Sequence, residues 1–130
     1  MQFDDSKPIW AQLVDQFRTR IASGTWQPGA RIPSVRELAL EYGTNPNTMQ
    51  KALTEIDRLG LTTTERGSGR FVAADAEAIS AARLALAQAA TDTYIAAVTG
   101  IGMTPAEAAD LLRQRWEQRH TTPTDTQEQS

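Results

Sequence analysis

Apolar residues in the first 60 positions recur at helical spacing, and the signals at their ends define three helices. The first helix carries Trp10, Leu13, Val14, Phe17 and Ile21, which fall at the i, i+3, i+4 and i+7 positions of one face. Ser6 suits an N-cap and Pro8 suits a first turn, so we expect Ser6 to cap a helix that ends near residues 23–24. The next residues, TWQPGARIP, are rich in Pro and Gly and predict an ordered loop or a short extended segment.

Two shorter helices with clear caps follow this loop. Ser34 and Glu37 form a capping box, in which each side chain bonds the backbone N–H of the other residue, and Gly43 ends the second helix. Asn45 suits an N-cap and Pro46 a first helical residue, so a third helix begins almost at once. Its apolar stripe contains Met49, Ala52, Leu53, Ile56 and Leu59. Two short helices joined by a tight turn, the second with one polar face, predict a helix-turn-helix.

The pattern changes after Gly60, where the third helix ends. Residues 61–65 are rich in threonine and suit a strand, residues 66–69 suit a turn, and residues 70–72 suit a return strand. This segment predicts a β-hairpin that forms a wing beside the helix-turn-helix. The fold class that follows is mainly α with a small β-hairpin, and the first domain, a winged helix-turn-helix, covers residues 1–73.

Two further helices are expected in residues 74–119. The segment 75–98 is rich in alanine and predicts one long helix, and after the glycines at 100 and 102 a second capping box, Thr104 with Glu107, begins another. A long helix with little else to bury it could be a core helix of a monomer, but we favour a two-helix dimerisation segment. The predicted dimer contacts are Ile79, Ala82, Leu86, Ala89, Leu112 and Trp116. Residues 120–130 lack apolar anchors and predict a disordered tail.

The charge is distributed unevenly along the chain. The whole sequence has a formal net charge of −3, but residues 1–73 carry nine basic and eight acidic side chains, a net charge of +1. Residues 74–130 carry four basic and eight acidic side chains, a net charge of −4. Because phosphate binding depends on local Lys and Arg rather than on overall charge, this distribution permits nucleic-acid binding by the first domain.

Several classes of site have no support in the sequence. There are no cysteines, and the one histidine, His120, lies in the predicted tail, so we expect no metal site, no catalytic residue and no cofactor. The sequence shows neither a secretory signal nor an unbroken apolar span, which predicts a cytoplasmic protein without a membrane partner. We do not expect an enzyme. About fifty helical residues also leave little room for an effector pocket, and the sequence leaves open whether a small-molecule effector exists.

The polar face of the third helix carries side chains that suit DNA. Asn47, Gln50, Lys51, Thr54 and Arg58 point away from the apolar stripe. Asn and Gln can make paired hydrogen bonds to adenine, whereas Lys and Arg can reach guanine or phosphate. An ordinary solvated helix face is the alternative for these positions, and a winged-helix module that binds another protein is the alternative function. The surrounding motifs favour DNA.

Three stretches resemble the GntR family of bacterial transcription regulators. These are residues 24–39 (GTWQPGARIPSVRELA), 44–53 (TNPNTMQKAL) and 65–72 (ERGSGRFV), which occur in the family's order and spacing. The two-helix C-terminal segment and the Asn-Pro-Asn-Thr helix start look like the YtrA subfamily, whose members are often associated with control of ABC-transporter genes. The resemblance implies a DNA-binding transcription regulator, and we expect its role to be repression.

The resemblance also implies which residues contact a double-stranded DNA operator. The positions that match the family's contacts are Arg36, Thr44, Asn45, Asn47, Thr48 and Gln50 in the helix-turn-helix, and Arg66 and Gly67 at the wing tip. Lys51 is added to this set because it lies on the polar face of the third helix. A two-fold homodimer would place two such surfaces on one side, which predicts an inverted-repeat operator with half-sites about one helical turn (~34 Å), or a multiple of it, apart.

Overall fold

The computed structural model describes the backbone of residues 2–129 and the side chains of residues 2–120. Its elements are α1 (Ile9–Ala22), α2 (Val35–Tyr42), α3 (Pro46–Arg58), β1 (Thr62–Glu65), β2 (Gly69–Val72), α4 (Ala76–Gly100) and α5 (Pro105–Gln129). The predicted fold class, mainly helical with one antiparallel hairpin, is confirmed. The chain divides into two compact units, Met1–Ala87 and Gln88–Ser130, which are described separately.

The first unit has one continuous hydrophobic core at the meeting point of α1, α2 and α3. Phe17 of α1, Leu38 of α2 and Leu53 of α3 are each fully buried there. Because their apolar side chains recur at helical spacing, each helix turns one stripe inward and leaves its other face to solvent. Trp10 and Trp26 pack against this core while partly buried, as expected for structural aromatic residues.

The loop before α2 pairs with the hairpin through one isolated β-bridge. Arg31 forms an antiparallel bridge with Phe71, the Ile32 N–H donates to the Arg70 carbonyl at 3.0 Å, and the Val72 N–H donates to the Ala30 carbonyl at 2.9 Å. These bonds tie the start of the helix-turn-helix to the wing. The predicted short extended segment is therefore present in this loop.

The predicted caps of α2 and α3 are confirmed, whereas the predicted cap of α1 is wrong. Both bonds of the Ser34 capping box are present, and the Asn45 side chain accepts from the Asn47 N–H at 2.7 Å. Pro8, not Ser6, is the N-cap of α1, and no side-chain bond caps this helix. Instead, Gln12 binds the preceding segment, with Nε2 donating to the Lys7 carbonyl at 2.9 Å. This bond joins the preceding segment to α1 without satisfying a backbone N–H of the helix.

The first compact unit extends beyond the predicted domain end at residue 73. The first turns of α4 pack on the core of α1–α3, so Ile79 and Ala82 are only 7% and 8% exposed. The Arg83 Nε donates to the Ala22 carbonyl at 3.4 Å and adds a polar contact with the end of α1. Ile79 and Ala82 were expected at a dimer surface, but their burial in their own subunit leaves them no free apolar surface for a partner.

The second unit consists of the later part of α4 and of α5. The Tyr94 hydroxyl donates to the Ala108 carbonyl at 2.7 Å and joins the two helices. Beside this bond lies an apolar cleft of about 350 Å³, lined among others by Ile95, Val98 and Leu112. The cleft is larger than we expected from so few helical residues.

The bounds of α5 are Pro105–Gln129. The disordered tail predicted for residues 120–130 falls, after His120, outside the residues whose side chains the structure describes, and it stays a prediction. Within the described residues, no helix combines the length and the apolar character that crossing a membrane requires.

Candidate nucleic-acid interface

The polar face of α3 is open to solvent. Asn47, Gln50, Lys51, Thr54 and Arg58 are all exposed. On the opposite side Met49, Ala52, Leu53 and Ile56 are buried, whereas Leu59, the last residue of the predicted stripe, is 40% exposed. At 100° per residue, the five polar positions fall within one arc of the helix. Thr44 and Thr48, at the tight turn and in the first turn of α3, are half-buried. The helix can therefore present one continuous polar surface to a partner.

Several of these side chains already have partners within the protein. The Gln50 Nε2 donates to the Thr54 hydroxyl at 3.1 Å. The Lys51 ammonium lies 4.5 Å from the centroid of the Trp10 ring, a cation–π contact that holds it against α1. The Asn45 oxygen accepts one capping bond, so its amide N–H groups and the second lone pair of its oxygen are available to a ligand. The cation–π contact thus draws the Lys51 side chain towards α1.

The two predicted arginines lie on different elements of the first unit. Arg36, at the second position of α2, is exposed, and it lines a shallow surface depression together with Thr44 and Pro46. Gly43 closes the turn between the helices with a left-handed φ of 64°, which favours glycine. Arg66 and Gly67 are exposed in the turn between β1 and β2. The structure brings Arg36 and Thr44 together and leaves Arg66 on the wing.

Ion pairing separates the cations of the first 73 residues into two groups. Five of the nine have a carboxylate oxygen within 4.0 Å, namely Lys7, Arg18, Arg20, Arg58 and Arg70. Among the described residues of this segment, the four without such a carboxylate are Arg31, Arg36, Lys51 and Arg66. These four belong to the helix-turn-helix, the loop before it and the wing. These elements therefore carry four cations that are not engaged in an ion pair with a described residue, beside the paired Arg58 and Arg70.

Asp57 fixes the wing to the end of α3. Its carboxylate accepts from Thr62, from the Thr64 hydroxyl at 2.8 Å, and from two nitrogens of Arg70 at 3.1 Å each. Burial by itself would raise the pKa of Asp57, but the hydrogen bonds from Arg70, Thr62 and Thr64, with the charge of Arg70, hold that pKa below its usual 3.8. Asp57 follows Thr54 by three residues, so the hairpin is anchored beside the end of the polar face.

Comparisons with known proteins agree with this arrangement. Residues 10–72 match the family model of bacterial regulatory proteins, gntR family. A solved GntR family transcriptional regulator from Listeria monocytogenes superposes with a TM-score of 0.80 at 32% identity, covering 86% of this chain and 98% of that one. This chain belongs to the GntR family. It is therefore a DNA-binding transcription regulator.

Two relatives of this GntR protein come from Bacillus subtilis (strain 168). The uncharacterized HTH-type transcriptional regulator YhcF is 37% identical over 112 residues, which are 86% of this chain and 93% of that protein. The HTH-type transcriptional repressor YtrA is 40% identical over 72 residues, 55% of each chain. The predicted likeness to YtrA is confirmed, and the similarity to YhcF and to the Listeria regulator includes the C-terminal helices.

Two residues of this GntR protein were absent from the predicted site. Asp57 anchors the wing, and Arg31 is an exposed arginine without a carboxylate partner. For Arg31 a signal was available, because it is a cation in a loop with no acidic residue within three positions before or after it. Asp57 gave no such signal, since its main partner, Arg70, lies 13 residues away.

Proposed function

We propose that this GntR protein is a homodimeric repressor that binds an inverted-repeat operator. The observation that carries the proposal is the exposed polar face of α3, accompanied by cations that lack carboxylate partners. Cations attract the phosphate backbone and set the position of the protein, whereas polar side chains in the major groove read base edges. Both kinds of contact are available on one compact unit.

The roles of the residues follow from their exposure and chemistry. Asn47 and Gln50 read base edges, because they are exposed amides near the start of α3. Thr44, Asn45 and Thr48 contact the DNA backbone beside the N-terminal end of α3, where the positive end of the helix dipole favours phosphate. The cations Arg36 and Lys51 bind phosphate, and Arg66 with Gly67 approaches the minor groove.

The homodimer is supported by apolar side chains that one subunit leaves uncovered. In the second unit Leu112 is 53% exposed and Trp116 is 63% exposed, with its ring stacked on His120. Ala89 is exposed and Leu86 of the first unit is half-buried. Uncovered apolar side chains of this size favour a protein interface, and we assign that interface to a second copy of the chain.

Repression and the regulated genes are inferred from the family. YtrA is a repressor by name, and it is 40% identical to this chain over 72 residues. The likeness to the YtrA subfamily extends the proposal to transporter genes.

The test is footprinting of the full chain on DNA upstream of its own coding region. We expect two protected half-sites about one helical turn (~34 Å), or a multiple of it, apart, and binding that weakens steeply with salt. Arg36→Ala should weaken this binding about tenfold without lowering the melting temperature, because its exposed side chain supports no described contact within the fold.

Arg115→Ala is the matched control, since Arg115 is an exposed arginine of α5 that donates a hydrogen bond to the Gln118 side chain. It should bind the operator as the unaltered chain does. Operator affinity that is unchanged in Arg36→Ala would contradict the assigned surface. Binding of a protein partner that ignores DNA and survives high salt would contradict the function itself.

A further inference from the structure

Arg31 is held in place by backbone hydrogen bonds on both sides. The residue before it accepts from the Val72 N–H at 2.9 Å, and the residue after it donates to the Arg70 carbonyl at 3.0 Å. Arg31 itself forms the bridge with Phe71. Its backbone therefore moves with the hairpin, which Asp57 in turn anchors to α3.

The side chain of Arg31 lies across Gly69. A Cβ at Gly69 would stand 2.8 Å from the Arg31 Nε and 3.4 Å from its Nη2, so the guanidinium occupies the space that any other residue would fill. The φ of Gly69 is +116°, which also favours glycine. The hairpin thus leaves room for the Arg31 side chain at the position of Gly69.

Arg31 differs from the neighbouring Arg70 in its partners. The side chain of Arg70 is 13% exposed and makes a paired contact with Asp57, whereas Arg31 is exposed and no carboxylate oxygen of the described residues lies within 4.0 Å of it. Its charge acts on Glu37, whose pKa is lowered first by hydrogen bonds with Ser34 and further by the charge of Arg31. Arg31 is therefore a cation between the start of α2 and the wing.

We propose that Arg31 is a further DNA-binding residue. It binds a phosphate of the DNA backbone that lies between the base pairs read by α3 and the part of the minor groove approached by the wing. The inference rests on the proposed function and adds a contact to the same surface. A guanidinium suits this role because its parallel N–H groups match two phosphate oxygens. Gly69 contributes because, without a Cβ, it leaves the space in which this group lies.

The experiment measures binding of the full chain to its footprinted operator and to an unrelated duplex over a range of salt concentrations. Arg31→Gln should weaken binding to both DNAs about tenfold at low salt, the loss expected for one charged hydrogen-bonded contact. Because one phosphate contact is removed, the slope of log K against log salt should fall by about 0.9. Arg31→Lys should retain the slope and lose part of the affinity.

Arg113→Gln is the control, since Arg113 is an exposed arginine of α5 whose partner is Asp110, and it should change neither affinity nor slope. An unchanged salt slope in Arg31→Gln would overturn the inference. A loss of binding affinity that depends on a single base pair of the operator would also overturn it, because that result would indicate a contact with a base. If the unaltered chain binds both DNAs equally while Arg31→Gln lowers the slope, the phosphate contact of Arg31 stands and the operator-specific function fails.

Discussion

The two compact units of the chain bury their apolar side chains to different extents. The first unit buries Phe17, Leu38 and Leu53 completely, although Leu40 on its surface is 85% exposed, and it leaves several cations without carboxylate partners. The second unit leaves Ile95, Leu112 and Trp116 more than half exposed. A buried core holds a surface rigid for recognition, whereas uncovered apolar side chains favour association. We therefore expect the same substitution to have different effects in the two units.

The largest difference is expected for a matched pair of leucine truncations. Leu53→Ala should lower the free energy of unfolding by about 3 kcal/mol, because it opens a cavity in a fully buried core. Leu112→Ala should cost less than about 0.5 kcal/mol at concentrations at which the chain is monomeric, because Leu112 is 53% exposed. Chemical denaturation of both variants measures the difference.

The same pair tests the assigned dimer surface. Sedimentation should show that Leu112→Ala weakens self-association. If Leu112→Ala instead costs as much unfolding free energy in the monomer as Leu53→Ala, the contrast between the two units is wrong.

The second difference concerns two ion pairs. Asp57→Asn should lower the free energy of unfolding by about 2 kcal/mol, because the pair with Arg70 is largely shielded and carries several hydrogen bonds. Asp110→Asn removes a pair whose side chains are 64% and 70% exposed, and it should have little effect. Equal effects of the two substitutions would contradict the role of Asp57 as an anchor.

Protonation at acid pH should remove the contribution of Asp57 to the free energy of unfolding. Since the folded-state pKa of Asp57 is lowered, its stabilisation is present above the ordinary value of 3.8 and is lost as the pH falls through the lower folded value. The stability gap between the unaltered chain and Asp57→Asn should therefore be full at pH 6 and should shrink below pH 4. Urea denaturation at several pH values measures this gap, and a gap independent of pH would count against the charge of Asp57.

Local signals predicted much of this fold, and contacts between distant residues account for what they missed. The Ser34 box and the Asn45 cap join residues two or three positions apart, so their spacing is visible in the sequence. The packing of Ile79 on the core depends on where α4 comes to lie, which no local pattern specifies. The contact of the Arg31 side chain with Gly69 likewise forms only when the loop before α2 pairs with the distant hairpin.

The smallest expected effect is on base preference. Gln50→Ala should change discrimination by about 1 kcal/mol per affected base pair, the low end for an amide contact, because Gln50 must first release Thr54. Gln114→Ala, a glutamine of exposed α5, should leave base preference unchanged. Binding to a set of single-base operator variants measures both, and an identical profile for Gln50→Ala and the unaltered chain would remove Gln50 from the reading surface.

The bond network around Asp57 has a thermodynamic consequence for the encounter with DNA. Because both strands of the hairpin are fixed before any duplex arrives, little conformational entropy of the wing remains to be lost on association. The ordering cost is then confined to the few side chains at the tip, such as Arg66. Association should accordingly proceed as rigid-body docking, with rate constants governed by electrostatic attraction rather than by a folding step.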